Sequence, residues 1–286
     1  MIAHVAEASE ESGRVLLWLE PDQIAMPETA KAAVAIASAF AADIETLVLE
    51  APAPGDIGDV PVAHRSLLGK PMQGSVTADA ADRRERLASR QLSDVHELST
   101  RAGVRIGHAT ARGDAIDQLA ELCLARGPWN IIAVSRPPSP ELPGLISTIL
   151  ANVSGATGVV VAGRSGPALG GDVAVVLEDC ERMPSMLRAA ERLVPINGRI
   201  QILIAADRAA AHHEIDGTAR LLTTDDRRYV HHRAGPTFGV SGALDCEFFR
   251  MKPSFIIARF GGALLGHSRA LTRLLSLTPA PILLVR

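Results

Sequence analysis

The sequence predicts an α/β protein made of two tandem open parallel-sheet domains of Rossmann-like type. Three observations predict it. Short, wholly apolar runs such as Val15-Leu16-Leu17-Trp18-Leu19 alternate with alanine-rich stretches of helical spacing, the pattern of a parallel sheet with helices on both faces. The whole series then occurs a second time in the same order. Finally, 47% of the 286 residues are apolar but only 3% are aromatic, which gives enough aliphatic material for two cores of ordinary size.

In the first copy, Val15–Leu19 reads as a strand buried on both faces, and Pro27 to Ala42 as a helix with proline in its first turn. Ile44–Leu49 is the second strand. The stretch Ala51 to Ala80 is rich in proline and glycine and long for a compact domain, so it reads as a lid or a disordered loop. A helix follows over Asp82 to Ala102, closed by Gly103, and then the strand Val104–Ala109. Asp114 caps a helix running through Ala125. Asn130–Val134 is the fourth strand, Leu145 to Ser154 a short helix, and Val159–Val161 the fifth strand.

The second copy offers strands at Val173–Leu177, Ile200–Ala205, Tyr229–Arg233, Phe255–Ala258 and Ile282–Val285. Its helices read as Pro184–Val194, His213–Leu222, Phe238–Phe249 and Gly266–Leu277. The two copies match segment by segment. Gly13–Glu20 resembles Gly171–Glu178, Pro128–Ala133 resembles Pro253–Ala258, and Ala156–Val161 resembles Ala280–Val285. The domains therefore run from 13 to 163 and from 171 to 286, joined by a glycine-rich linker.

Composition excludes several classes of function. A formal charge of −3 argues against a dedicated nucleic-acid surface, and Asp82-Arg83-Arg84-Glu85-Arg86 reads as a solvated helix face. Cys123, Cys180 and Cys246 are far apart and form no CxxC pair, which fits a reducing cytoplasm and no thiolate metal site. The segment Met1 to Gly13 lacks an apolar signal core, and no apolar run reaches the ~20 residues of a membrane span. The histidine pairs His212-His213 and His231-His232 lack supporting carboxylate spacing, so no metal site is expected. Gly69-Lys70 is followed by Pro71 where a P-loop needs Ser or Thr. Ser135 has only His108 as a partner histidine and no G-x-S-x-G around it, so a hydrolase is disfavoured.

With these elements in place, the chain resembles the universal stress protein family, as a tandem two-domain member. The resemblance rests on four features in order: a strand ending in an acid (Glu20, Glu178), a glycine turn opening a helix (Gly113 to Ile116, Gly235-Pro236-Thr237), the strand Ile131–Val134 or Ile256–Ala258, and the closing Pro279–Arg286. It implies that the last strands of the two copies pair antiparallel, making the chain an intrachain pseudo-dimer; further association would be a two-fold homodimer. It also implies a stress-response role. Many members bind ATP through G-x2-G-x9-G-[ST] after the fourth strand, where backbone N–H groups and a helix N-terminus face phosphate.

Both copies depart from that loop. In the first, SRPPSPELPG (Ser135 to Gly144) places Pro137, Pro138, Pro140 and Pro143 where amide donors are needed. In the second the spacing is too short, but Gly261, Gly262 and Gly266 remain, with His267 and Ser268 at a helix start and Glu178 on the first strand. Those six residues are the candidate cofactor-binding set. The expected function is binding of a small ligand or protein partner during stress, without catalysis, nucleic acid or membrane, and with no cofactor. The alternative is an ATP-binding protein that uses the second site, with slow hydrolysis at most.

Overall fold

The computed structural model describes residues 13–19, 27–49, 64–65, 71–72, 76–125, 129–135, 139–162, 170–206, 208–223, 228–232, 248, 250–262 and 270–286. In the first copy the elements are β1 (Arg14–Leu19), α1 (Pro27–Phe40), β2 (Asp43–Leu49), β3 (His64–Arg65), β4 (Pro71–Met72), α2 (Val76–Ala102), β5 (Ile106–Ala111), α3 (Ala115–Ala125), β6 (Asn130–Val134), α4 (Leu142–Asn152) and β7 (Ala156–Val161). The second has β8 (Val173–Leu177), α5 (Met183–Leu193), β9 (Ile200–Ile204), α6 (Ala209–Thr223), β10 (Tyr229–His232), β11 (Phe255–Arg259), α7 (Ala270–Leu277) and β12 (Ile282–Val285).

One ten-stranded sheet runs β10-β9-β8-β11-β12-β7-β6-β1-β2-β5. Each half has the same order, with its first strand central and its last strand at the junction. All neighbours are parallel except β12 and β7, which are antiparallel, with Ile282 opposite Val161 and Val285 opposite Gly158. Joining the last strands covers two edges that would otherwise present unpaired amides.

The central strands are mostly apolar because both sheet faces are covered. Along β1, Val15, Leu17 and Leu19 enter one core while Leu16 and Trp18 enter the other. The first core is closed by α1, α2, α5 and α6, the second by α3, α4 and α7. Buried polar groups tie the strand starts together. Arg14 pairs with the buried Glu45 and donates from Nε to Asn130 Oδ1 at 3.3 Å. At the matching place in the second half, Gln201 Nε2 donates to Asp172 Oδ2 at 2.7 Å. Position is kept and chemistry changed, as expected of diverged copies.

Element boundaries follow local chemistry. Asp114 Oδ1 accepts from the N–H groups of Ile116 and Asp117 at 2.8 and 3.3 Å, capping α3. Gly103 closes α2 at φ 67°, a conformation that costs glycine little. Of the stretch Ala51 to Ala80, expected to be a lid or a disordered loop, residues 51–63, 66–70 and 73–75 lie outside the described residues, while His64–Arg65 and Pro71–Met72 form an antiparallel ladder and α2, expected from Asp82, begins at Val76. The fourth helix of the first copy starts at Leu142 rather than Leu145, because Pro143 lies in its first turn, where its missing N–H costs nothing. The expected helix Phe238–Phe249 falls almost wholly outside the described residues. Phe248 is helical and buried.

Candidate functional site

In a parallel sheet the carboxyl ends of the strands form the edge where ligands bind. In the second half that edge is built by Glu178 and Asp179 after β8 and by Arg259, Phe260, Gly261 and Gly262 at the end of β11. β8 and β11 are adjacent, so the two loops meet. Gly261 takes φ 82°, which turns the chain sharply. The Gly262 N–H donates to the Arg259 carbonyl at 3.3 Å.

The space that a side chain at Gly262 would occupy holds the Glu178 carboxylate. A Cβ on Gly262 would lie 2.5 Å from Glu178 Oε1 and 2.7 Å from Oε2. Gly262 therefore gives close backbone approach, and what approaches is the protein's own acid. Asp179 is committed as well. Its Oδ1 accepts from the Arg182 N–H at 3.1 Å, at the start of α5, and its Oδ2 pairs with Arg259. The partial positive charge of that helix N-terminus is met by a side-chain carboxylate. Arg259 carries no warning in the sequence beyond its place at the end of a strand.

Thus Glu178, Gly261 and Gly262 come together, while Gly266, His267 and Ser268 lie outside the described residues. The first copy's edge contains Leu19 and Ser135, with Glu20 and Arg136 to Pro138 outside the described residues. Ser135 continues the β1–β6 ladder, donating its N–H to the Trp18 carbonyl at 3.3 Å. Beside it the described residues leave a cavity of about 40 Å³, bounded by Leu19, Gln91 and Val95 among others, room for little more than water. His108 stands on β5, three strands from Ser135 in the order β6-β1-β2-β5, roughly 14 Å away at ordinary strand spacing. Its Nδ1 lies 2.7 Å from Thr46 Oγ1. The structure does not bring that serine and histidine together.

Burial pushes the Cys123 thiol up to about 11, partly opposed by Arg14, so it is a packed thiol rather than a nucleophile. His231 and His232 point to opposite faces. His231 Nε2 lies 2.9 Å from Thr223 Oγ1, and His232 Nε2 lies 2.9 Å from Gln201 Oε1. Among the described residues no group of three or more His, Cys, Asp or Glu side chains gathers to hold a metal, and no helix is long and apolar enough to cross a membrane.

No protein-family model matches the chain, and no curated protein matches it in sequence. Among solved structures, the chain is similar to a universal stress protein from Archaeoglobus fulgidus DSM 4304. The TM-score is 0.64, at 11% sequence identity, over 96% of this chain and 97% of the other. At that identity the likeness is one of fold, and it spans both halves of the sheet.

Proposed function

We propose that this chain is a non-catalytic protein of the universal-stress-protein type. In this reading it acts in the cytoplasmic stress response by binding a small ligand or a protein partner, and its strand-end edges have given up ATP. The observation that carries the reading is the Glu178 carboxylate lodged against Gly262. A triphosphate cradled by that turn would meet a carboxylate at contact distance, with Asp179 beside it, and like charges at such range oppose binding strongly. In the first copy, prolines replace amide donors along the corresponding loop.

The alternative is ATP binding in the second half. It draws on the positive φ of Gly261 and on the glycines Gly261, Gly262 and Gly266 ahead of Ser268 in the sequence. It requires the Glu178 side chain to swing out, or Mg²⁺ to sit between the carboxylate and the phosphates. Denaturing the freshly purified full chain and assaying the released small molecules separates the two. The proposal predicts no adenine nucleotide. Release of a near-stoichiometric amount would overturn it in favour of the alternative.

A further inference from the structure

The junction between the two halves carries a feature far from either strand-end edge. On the face covered by α1 and α5, a cavity of about 320 Å³ opens between the end of α1 and the middle of α5. That is within the range of small-molecule sites. Its floor is the junction itself, where Ile131, Gly158 and Leu283 lie on three successive strands. A Cβ on Gly158 would rise between the Leu283 and Ile131 side chains, 3.6 and 3.7 Å from them. The missing side chain deepens the floor.

One wall is aromatic and fixed. The Phe40 and Trp129 rings stack with centroids 5.1 Å apart and planes 29° from parallel. Trp129 is pressed onto the backbone of Gly13, where a Cβ would come within 1.8 Å of its ring. Trp129 and the Arg192 guanidinium both lie against Phe40, so the stack meets the cavity as a pre-ordered aromatic wall rather than as an open face.

The other wall is cationic. Arg188 and Arg192 are one helical turn apart on α5, so they share a face. The Arg192 guanidinium lies 5.1 Å from the Phe40 centroid. Among the described residues neither arginine has a carboxylate partner within ion-pair distance. Arg286 also borders the cavity, but its guanidinium is committed to the carbonyls of Leu150, Val153, Ser154 and Ala156. Among the described residues no Asp or Glu lines the cavity, in a chain whose formal charge is −3. Two forked cations beside a flat apolar surface match an anion with a flat apolar body.

Among the described residues the feature is built once. A related groove lies across the junction, between the middle of α1 and the end of α5, lined by Lys31 and Arg192. Aligning the helix-opening prolines Pro27 and Pro184 sets Phe40 against Asn197 and Lys31 against Arg188. The repeat sets Trp129 against Ser254. The second groove therefore lacks the aromatic pair, and its Lys31 ammonium already lies 3.8 Å from Glu28.

We propose that the seam cavity binds a small planar aromatic acid, with its ring on the Ile131–Gly158–Leu283 floor against the Phe40–Trp129 wall and its carboxylate between Arg188 and Arg192. The test is calorimetric titration of the full chain with 2-naphthoate and with the neutral isostere 2-naphthamide. One molecule of 2-naphthoate is expected per chain, at about tenfold or greater preference over the amide. Arg192→Gln and Arg188→Gln, both at exposed positions, should each weaken 2-naphthoate by about tenfold. Lys31→Gln, in the opposite groove, should leave binding unchanged. Absence of binding up to millimolar probe, equal affinity for acid and amide, insensitivity to both arginine substitutions, or sensitivity to Lys31→Gln would each overturn the proposal. None of these outcomes depends on whether the strand-end edge binds ATP.

Discussion

Gly262 and Glu178 show how one residue decides what a glycine turn is for. A glycine after a strand in this fold invites a phosphate reading, but here the missing side chain makes room for an acid of the same chain. Gly262→Ala should destabilise the protein by about 1–2 kcal/mol, because the Glu178 carboxylate must give way. Most of that loss should vanish in the background of Glu178→Ala, and a double-mutant cycle by chemical denaturation measures the coupling. Additive effects would mean that the two residues do not meet. The sequence placed both residues at the right edge but not their contact, since strand alternation and spacing carry no information on which way a loop side chain folds back. A second residue-scale prediction concerns His231. Its pKa lies below the ordinary histidine value, first because the ring is buried and then because Arg220 is near, with Asp216 opposing. Protons therefore bind the unfolded chain more readily than the folded one. His231 contributes stability in full above pH about 6.5, and this is lost as pH falls below that value. The melting temperature should drop between pH 7.5 and 5.5, and His231→Gln should make the drop shallower. An unchanged slope would show that His231 is not the group responsible.

At the scale of elements, the junction of β7 and β12 holds the sheet in one piece, and its closest approach is at Gly158. A Cβ there would lie 2.8 Å from the Leu284 carbonyl oxygen, a backbone atom that cannot rotate aside. Gly158→Ala should cost about 1–3 kcal/mol of unfolding free energy, read as a lower denaturation midpoint. A neutral effect would mean that the strands part at that point. The antiparallel pairing of Val159–Val161 with Ile282–Val285 was implied by the family resemblance, and covering two sheet edges is its physical motive. The register was not, since a run of valines and leucines buried on both faces pairs equally well when shifted. Helix boundaries were legible where capping chemistry marks them, as at Asp114 and Gly103. They were missed at Leu142, where Pro143 reads as a stop but acts as a first-turn residue. The start of α2 was missed because Ala51 to Ala80 carries turn residues up to its final few positions.

At the scale of the whole molecule, two copies with one strand order make a single ten-stranded sheet. The repeated series of strands and helices along the chain was legible because an ordered series of unspecific signals, met twice, is far more specific than any one of them. The likeness to a solved universal stress protein extends across nearly the whole chain at 11% identity, so the architecture is shared while individual side chains are not. The two strand-end edges differ in chemistry, with prolines in the loop of one half and a carboxylate against Gly262 in the other. The direct measurement is calorimetric titration of the full chain with ATP in the presence of Mg²⁺. The account predicts no saturable heat at micromolar nucleotide for the intact protein. Saturable micromolar binding of one ATP per chain, abolished by Gly262→Ala, would contradict it.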